Sequence, residues 1–171
     1  MSVEDITVAL STPAPLRLGE AALFLDLDGT LAPIAARPQD VRPDPRRTSL
    51  LERLAQKLEG RLAVVSGRTL ADVDRILEGR VPAVAAVHGL VRREPDLSTF
   101  EAKPHPALPQ AVEAFRAFAA RDSGLIVEEK SGLSVALHFR LAPGQAQAAG
   151  VCARSIAART GLTLQDGGMV E

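Results

Sequence analysis

The run Ala21-Ala22-Leu23-Phe24-Leu25-Asp26-Leu27-Asp28-Gly29-Thr30 constrains this chain more than any other feature. A short, unbroken apolar segment that ends at a glycine reads as a strand buried on both faces, the pattern of a parallel sheet. Asp26 interrupts that segment, and an unpaired carboxylate in an apolar strand costs free energy unless it has a use. Asp28-Gly29 alone could be no more than the turn after a strand; Asp26 argues for more. In open parallel sheets, ligands bind beyond the carboxyl ends of the strands. Two carboxylates at such an end, where the chain turns, can approach one ligand together. Their oxygens suit a hard cation such as Mg²⁺, and one could attack an electrophile while the other moves a proton.

The next segments repeat the theme. Arg46 to Leu58 puts Leu50, Leu51, Leu54, Ala55 and Leu58 on one helical stripe. Leu62–Val65 reads as a second buried strand, followed by a helix with Leu70, Val73, Ile76 and Leu77 on one face and a third strand at Ala83–Val87. This alternation implies parallel strands joined by crossover helices. The second strand runs into Ser66-Gly67-Arg68-Thr69, just before its helix. A hydroxyl and free N–H groups at a helix start can hold a phosphate, although Ser-Gly there is often only a cap. The third strand ends in Val87-His88-Gly89, where a lone histidine is more often structural than catalytic. Three successive strands ending in polar, glycine-bearing turns on one rim outweigh these local readings.

Composition narrows the classes. Of 171 residues, 46% are apolar and 24% charged, enough for a real core and too apolar for a disordered tail. Twenty basic against twenty-one acidic residues give no sign of a nucleic-acid or membrane-surface partner. No apolar run approaches the ~18 residues of a membrane span. Residues up to about 20, with Pro13 and Pro15, read as a loose lead-in; Glu4 and Asp5 do not suit a signal peptide. The single Cys152 cannot form an internal disulfide, which fits a reducing, cytoplasmic setting.

From about Lys103 the character changes. Pro104, Pro106 and Pro109 make a stiff connector. A helix follows with Ala111, Val112, Phe115 and Phe118 on one side, then two nearly adjacent strands, Leu125–Lys130 and Ser134–Arg140, which must form a hairpin. A two-residue turn would set Glu128 opposite Val135 and mix polar with apolar positions. A three-residue turn, Ser131 to Leu133, sets Glu128 opposite Ala136 and Val127 opposite Leu137, and burial of one face selects it. The hairpin is then expected to carry Glu128, Lys130, His138 and Arg140 on one polar face; a merely solvated sheet face would look the same. Gly144 to Thr160 is helical, with Ala148, Val151, Cys152 and Ile156 on its apolar side and Gly161 as its stop, and Leu162–Gln165 with Met169–Glu171 reads as a further strand pair. The fold class is therefore α/β: a partial Rossmann-like parallel sheet in residues 1–103 and a smaller α+β module in residues 104–171.

With these residues assembled, the sequence resembles a family. Asp26-Leu27-Asp28-Gly29-Thr30 and Ser66 are similar to the first two motifs of haloacid-dehalogenase-type phosphatases. More narrowly, Ser66-Gly67-Arg68, Val87-His88-Gly89, Val127-Glu128-Glu129-Lys130 and Ala136-Leu137-His138-Phe139-Arg140 resemble the trehalose-6-phosphate phosphatases, over nearly the whole chain. The resemblance implies that Asp26 is a nucleophile forming an aspartyl-phosphate, and that Asp28 protonates the leaving sugar oxygen and then activates water. It implies that Ser66, with Gly67, Gly29 and Thr30, binds the transferring phosphate, and that Asp26 and the Asp28 carbonyl hold Mg²⁺. Arg68, His88 and Gly89, with Glu128, Lys130, His138, Arg140 and Glu171, would face the sugar-phosphate substrate, and residues 104–171 would be a cap over the catalytic core.

The family pattern continues after the cap with a phosphate-binding lysine and an acidic pair, neither of which occurs up to Glu171, and Gly167-Gly168 stands where the family tends to carry Gly-Lys. The chain is therefore expected to be an N-terminal portion with impaired catalysis. The Ala22–Leu27 strand should then be a bare sheet edge, open to self-association. Two other readings stay open at this point. One is a phosphatase for another sugar phosphate, of sucrose-phosphate or mannosylglycerate-phosphate type, since lid contacts decide specificity. The other is a non-catalytic sugar-phosphate-binding fragment.

Overall fold

The computed structural model describes residue 12, residues 14–165, and residues 167 and 170; expectations falling on the other positions, the strand residues Met169 and Glu171 and the sugar contact at Glu171 among them, lie outside the described residues. The alternation expected in the first half is present: β1 (Leu23–Asp26), α1 (Pro45–Lys57), β2 (Leu62–Val65), α2 (Leu70–Leu77) and β3 (Ala83–Ala86). Pro45 stands at the first turn of α1 and Asp44 caps it through Arg46 N–H; Thr69 caps α2 through Asp72 N–H. β1 pairs with β2 and β2 with β3, both parallel, with Asp26 beside Val65 and Val65 beside Ala85.

Two short strands escaped the sequence reading. β4 (Val91–Arg93) and β5 (Thr99–Glu101) extend the sheet antiparallel, giving the order β1-β2-β3-β4-β5. Three residues each, rich in charge, they carry no apolar run to mark them. They are placed by a specific polar anchor: Arg93 meets both oxygens of Asp74 on α2 at 2.8 and 2.9 Å and also donates to the carbonyls of Val81 and Pro82.

Right-handed crossovers put α1 and α2 on the same side of the sheet. There Leu51, Leu58, Val73, Ile76 and Leu77 pack on Val64, Val84 and Ala86 in one buried cluster. Each large side chain removed from water there contributes roughly 1.5–3 kcal/mol. Leu50, expected on the buried stripe, is instead exposed, one residue and about 100° around the helix from Leu51.

β1 is not buried on both faces as its sequence suggested. Its residues alternate between half-buried and exposed, and Phe24 is 73% exposed. The helices cover only the Leu25 side, and the face carrying Phe24, Asp26, Ala63, Val65, Ala83 and Ala85 meets no helix among the described residues. β1 is also the sheet edge, as expected.

The second half comprises α3 (Leu108–Ala119), β6 (Ile126–Lys130), β7 (Ser134–His138) and α4 (Ala146–Thr160). The hairpin adopts the register that burial demanded: Glu128 opposite Ala136 and Val127 opposite Leu137, across a turn in which Leu133 N–H bonds to Lys130 O. Val127, Val135 and Leu137 join Phe115, Phe118, Ala149, Ala153 and Ile156 in a second apolar cluster. The buried face of α4 runs through Ala149, Ala153 and Ile156; Val151, assigned to it from sequence, is exposed. Small residues at 149 and 153 let α4 approach closely, and their modest hydrophobicity hid that part of the stripe. Residues 162–165 form no strand: Leu162 and Leu164 pack on the apolar cluster, and Val170 meets β7 through a single bridge to His138.

The hairpin rests on the sheet module at two points. Leu133, at its turn, is buried in the first module's cluster, and Arg140 donates to the carbonyl of Ala35.

Candidate active site

The parallel register that places Asp26 beside Val65 brings the turn after β1 next to the turn after β2. Asp26 ends β1 with an exposed carboxylate that makes no hydrogen bond or ion pair among the described residues. The chain then folds back: Leu31 and Ala32 donate to Leu27 O, and Gly29, at φ +89°, donates to Ala32 O at 2.7 Å. Gly29 therefore contributes the left-handed turn rather than an available N–H. The N–H groups of Thr30 and Gly67 make no hydrogen bond among the described residues, so they are open to an anion.

Asp28 is held quite differently from Asp26. Arg68 Nε and Nη2 grip its two carboxylate oxygens at 2.8 and 2.7 Å, and Arg68 Nη1 donates to Pro38 O at 2.7 Å. Burial works against the Arg68 charge, yet the hydrogen bonds and charge of Asp28, helped by Asp72 and Glu128, hold its pKa above the ordinary value. Bidentate Arg–carboxylate geometry of this kind fixes orientation as well as charge. Ser66 is buried, and its hydroxyl accepts Arg68 N–H at 3.1 Å.

The turn after β3 is stitched to the one after β2. Val87 N–H bonds to Arg68 O and His88 N–H to Ser66 O, at 2.8 and 3.0 Å. This requires positive φ at Val87, His88 and Gly89 in succession, a conformation that costs a β-branched residue such as Val87 most. The imidazole of His88 consequently lies over Gly67 so closely that a Cβ there would stand 2.6 Å from the ring. A side chain at Gly67 would have to displace the His88 ring, a contact that the sequence pattern did not disclose. Burial, aided by the charge of Lys130, lowers the His88 pKa and favours the neutral imidazole.

From the second module, the hairpin presents Glu128, Lys130 and His138 on one face. His138 Nε2 lies 2.8 Å from Glu128 Oε2 and Lys130 Nζ lies 3.7 Å from the same oxygen. Burial raises the Glu128 pKa, but His138, Lys130 and Arg68 outweigh it and hold it below the ordinary carboxylate value. Lys130 of one module and His88 of the other line the same cavity, of about 930 Å³, so the polar faces of the two modules meet there. Lys103 and Lys130 supply cations to its lining, His88 and His105 imidazoles, and Leu108, Phe115, Leu133 and Ile156 part of its apolar wall, whereas Asp26, Asp28, Ser66 and Glu128 do not line it.

The donors at the end of β1 are oxygens, of the kind Mg²⁺ prefers, and the Asp28 carbonyl accepts no hydrogen bond among the described residues. No group of three or more His, Cys, Asp or Glu suited to a metal exists among the described residues. The fit is thus one of donor type, with the remaining positions left to water and phosphate oxygens, as Mg²⁺ commonly allows.

Fold and rim together define an α/β scaffold whose carboxylate-bearing strand end is overlooked by a polar hairpin. Residues 24–170 match the family model described as trehalose-phosphatase, and the chain belongs to that family. It is 38% identical over 140 residues to a probable trehalose-phosphate phosphatase of Sinorhizobium fredii, covering 82% of this chain and 51% of that protein. It is 32% identical over 133 residues to the trehalose-6-phosphate phosphatase of Escherichia coli, covering 77% and 50%. The chain spans about half the length of these curated relatives. A solved structure described as a trehalose-6-phosphate phosphatase related protein matches with a TM-score of 0.71 at 22% identity, over 88% of this chain and 66% of that one. The C-terminal domain of C. albicans trehalose-6-phosphate phosphatase matches with a TM-score of 0.74 at 18% identity, over 86% and 54%. At these identities the likeness to the solved structures is one of fold. No described helix is long and apolar enough to cross a membrane.

Proposed function

We propose that the chain carries the phosphate- and sugar-facing half of a trehalose-6-phosphate phosphatase. The observation that carries this reading is the contrast at one rim between an unpartnered carboxylate, Asp26, and a clamped one, Asp28. Residues 1–103 form the N-terminal part of the catalytic core and residues 104–171 its lid. The substrate is a sugar phosphate rather than a nucleic acid or membrane, and the setting is the cytoplasm, in keeping with the single, unpaired Cys152. The bare β1 edge and Phe24 beside it give the chain a surface for self-association.

In the first step an Asp26 carboxylate oxygen attacks phosphorus, the bond from phosphorus to the sugar oxygen breaks, and that oxygen takes a proton from Asp28. Both Asp28 oxygens are occupied by Arg68, so Asp28 must release at least one of these bonds before it can carry the proton. In the second step Asp28 takes a proton from water, whose oxygen attacks phosphorus, and the bond to Asp26 breaks to release phosphate. Ser66 and the N–H groups of Thr30 and Gly67 orient the phosphoryl oxygens, while Glu128 and Lys130 take sugar hydroxyls. Mg²⁺, held by the Asp26 carboxylate and the Asp28 carbonyl, would neutralise charge on the phosphoryl group.

Among the described residues no lysine pairs with Asp26: Lys130 pairs with Glu128 and Lys103 lines the adjoining cavity. Turnover by this chain is therefore expected to be slow. The test is phosphate release from trehalose 6-phosphate with Mg²⁺, run on this chain, on Asp26→Asn, and on a version joined to the remaining half of a relative. The expected result is slow release, abolished by Asp26→Asn and raised roughly 10²-fold or more by the added half, the scale of one lost charge-stabilising group. Release unaffected by Asp26→Asn, or preference for another sugar phosphate in a substrate panel, overturns the assignment. Binding without release, even in the joined version, would identify a non-catalytic binding module instead.

A further inference from the structure

The geometry points to His138 as a positioning residue that fixes the Glu128 carboxylate with one oxygen held by protein and the other turned to a sugar hydroxyl. This inference rests on the reading of the hairpin face given above and deepens it. The hairpin register carries the argument. Glu128 stands opposite Ala136, whose small side chain leaves lateral room, and His138 stands opposite Ile126, one diagonal step away. Across that gap His138 Nε2 approaches Glu128 Oε2 at 2.8 Å. Lys130, on the other side and also one pleat away, reaches the same Oε2 at 3.7 Å. Glu128 Oε1 makes no hydrogen bond or ion pair among the described residues. A hydrogen bond and an ion pair thus converge on one oxygen and leave its twin to accept from outside.

A carboxylate accepts only, so the proton of the pair sits on His138 Nε2. The backbone that carries the ring is itself held: His138 ends β7, paired with Ile126 on one side and bridged to Val170 on the other. All three side chains are largely buried, with relative side-chain exposures of 21% for Glu128, 19% for His138 and 10% for Lys130. Arg68 and His88 are the charged or titratable groups facing this cluster from the sheet module. A free Glu128 would sample several rotamers, and fixing it removes that ordering cost from ligand binding. His138 therefore acts through Glu128 and need not touch the sugar.

The experiment is a calorimetric titration of trehalose 6-phosphate into this chain and into His138→Ala, His138→Gln, Glu128→Gln and the Glu128→Gln/His138→Ala double variant. His138→Ala is expected to weaken binding roughly 10-fold, the scale of a lost hydrogen bond to a charged group. His138→Gln, whose amide can still donate to Oε2, should recover most of that loss. In the Glu128→Gln background His138→Ala should add less than about 2-fold, because coupled residues are not additive. Additive losses, no rescue by glutamine, or no loss in His138→Ala overturn the inference while leaving the sugar-phosphate reading intact. No binding by the unaltered chain overturns that reading and the inference with it. A readout that needs no ligand keeps the pair testable if His138→Ala fails to fold. Long-range ¹H–¹⁵N spectra of the unaltered chain should show the proton on His138 Nε2, with that nitrogen's shift moved in Glu128→Gln, and a proton on Nδ1 instead overturns the inference.

Discussion

In the second module, residues 104–171, Val127, Val135 and Leu137 of the hairpin lie against α3 and α4, and its polar face is paired within itself by His138, Glu128 and Lys130. In the sheet, the face carrying Phe24, Asp26, Ala63, Val65, Ala83 and Ala85 meets no helix among the described residues, and Asp26 has no partner. Both layers follow the same rule of one apolar and one polar face, yet only the hairpin completes it locally. The hairpin needs just two helices from its own neighbourhood in sequence, whereas a parallel sheet needs cover on both sides. The difference teaches where this chain is self-sufficient and where it is open. It also separates two kinds of unsatisfied group: an apolar surface that another polypeptide can cover, and a carboxylate that chemistry can use.

The largest expected effect tests that contrast on stability. Leu137, fully buried in the second apolar cluster, should cost roughly 2–5 kcal/mol when cut to alanine, through lost burial and the cavity left behind. Phe24→Ala, at a site 73% exposed, should change stability by less than about 1 kcal/mol. Urea unfolding at concentrations too low for association measures both. Equal losses would mean that the Phe24 face is covered after all and would dissolve the comparison.

The next effect concerns the open edge itself. Phe24→Lys places a charge beside an unpaired strand, the device natural sheets use to stop edge pairing. Sedimentation of the unaltered chain at tens of micromolar should show species above the monomer mass, and Phe24→Lys should sediment as a monomer. A monomeric unaltered chain would show that the edge is tolerated bare.

Much of this organisation was legible from the residues. The alternation of apolar runs with helical stripes gave α1, α2 and the three parallel strands, and one-face burial selected the hairpin register between two candidates. Local chemistry was harder to read. β4 and β5 are held by the Arg93–Asp74 pair, a contact between residues nineteen apart that no local period encodes. The bidentate Arg68–Asp28 pair joins residues forty apart, so sequence could suggest Arg68 as a substrate contact but not its grip on Asp28. Gly67 looked like a phosphate-loop glycine, and its closeness to His88 appears only once two strand ends are stitched together. Residues matter here through partners that the topology supplies, and topology is what a period in sequence cannot specify.

The smallest expected effect is a titration, and it reads the approach of the hairpin to the sheet directly. The His88 pKa lies below its ordinary value of 6.5 because of burial and the charge of Lys130, a residue of the hairpin. The folded chain therefore favours neutral His88, while the unfolded chain takes up a proton as pH falls through about 6.5. Stability from this group is full above that value and declines as pH drops toward the lower folded-state pKa. Glu128, held below its ordinary 4.5 despite the opposing effect of burial, acts in the same direction further into acid: its contribution is present above that value and is lost as pH falls through its folded-state pKa. Lys130→Met removes the cation shared by both groups. The imidazole of His88, followed by NMR, should then titrate closer to 6.5 than in the unaltered chain, while Glu128 loses part of what keeps it anionic. A His88 titration unmoved by Lys130→Met would mean that the hairpin does not lie over the sheet's rim in solution, and the two modules would have to be treated as separate bodies.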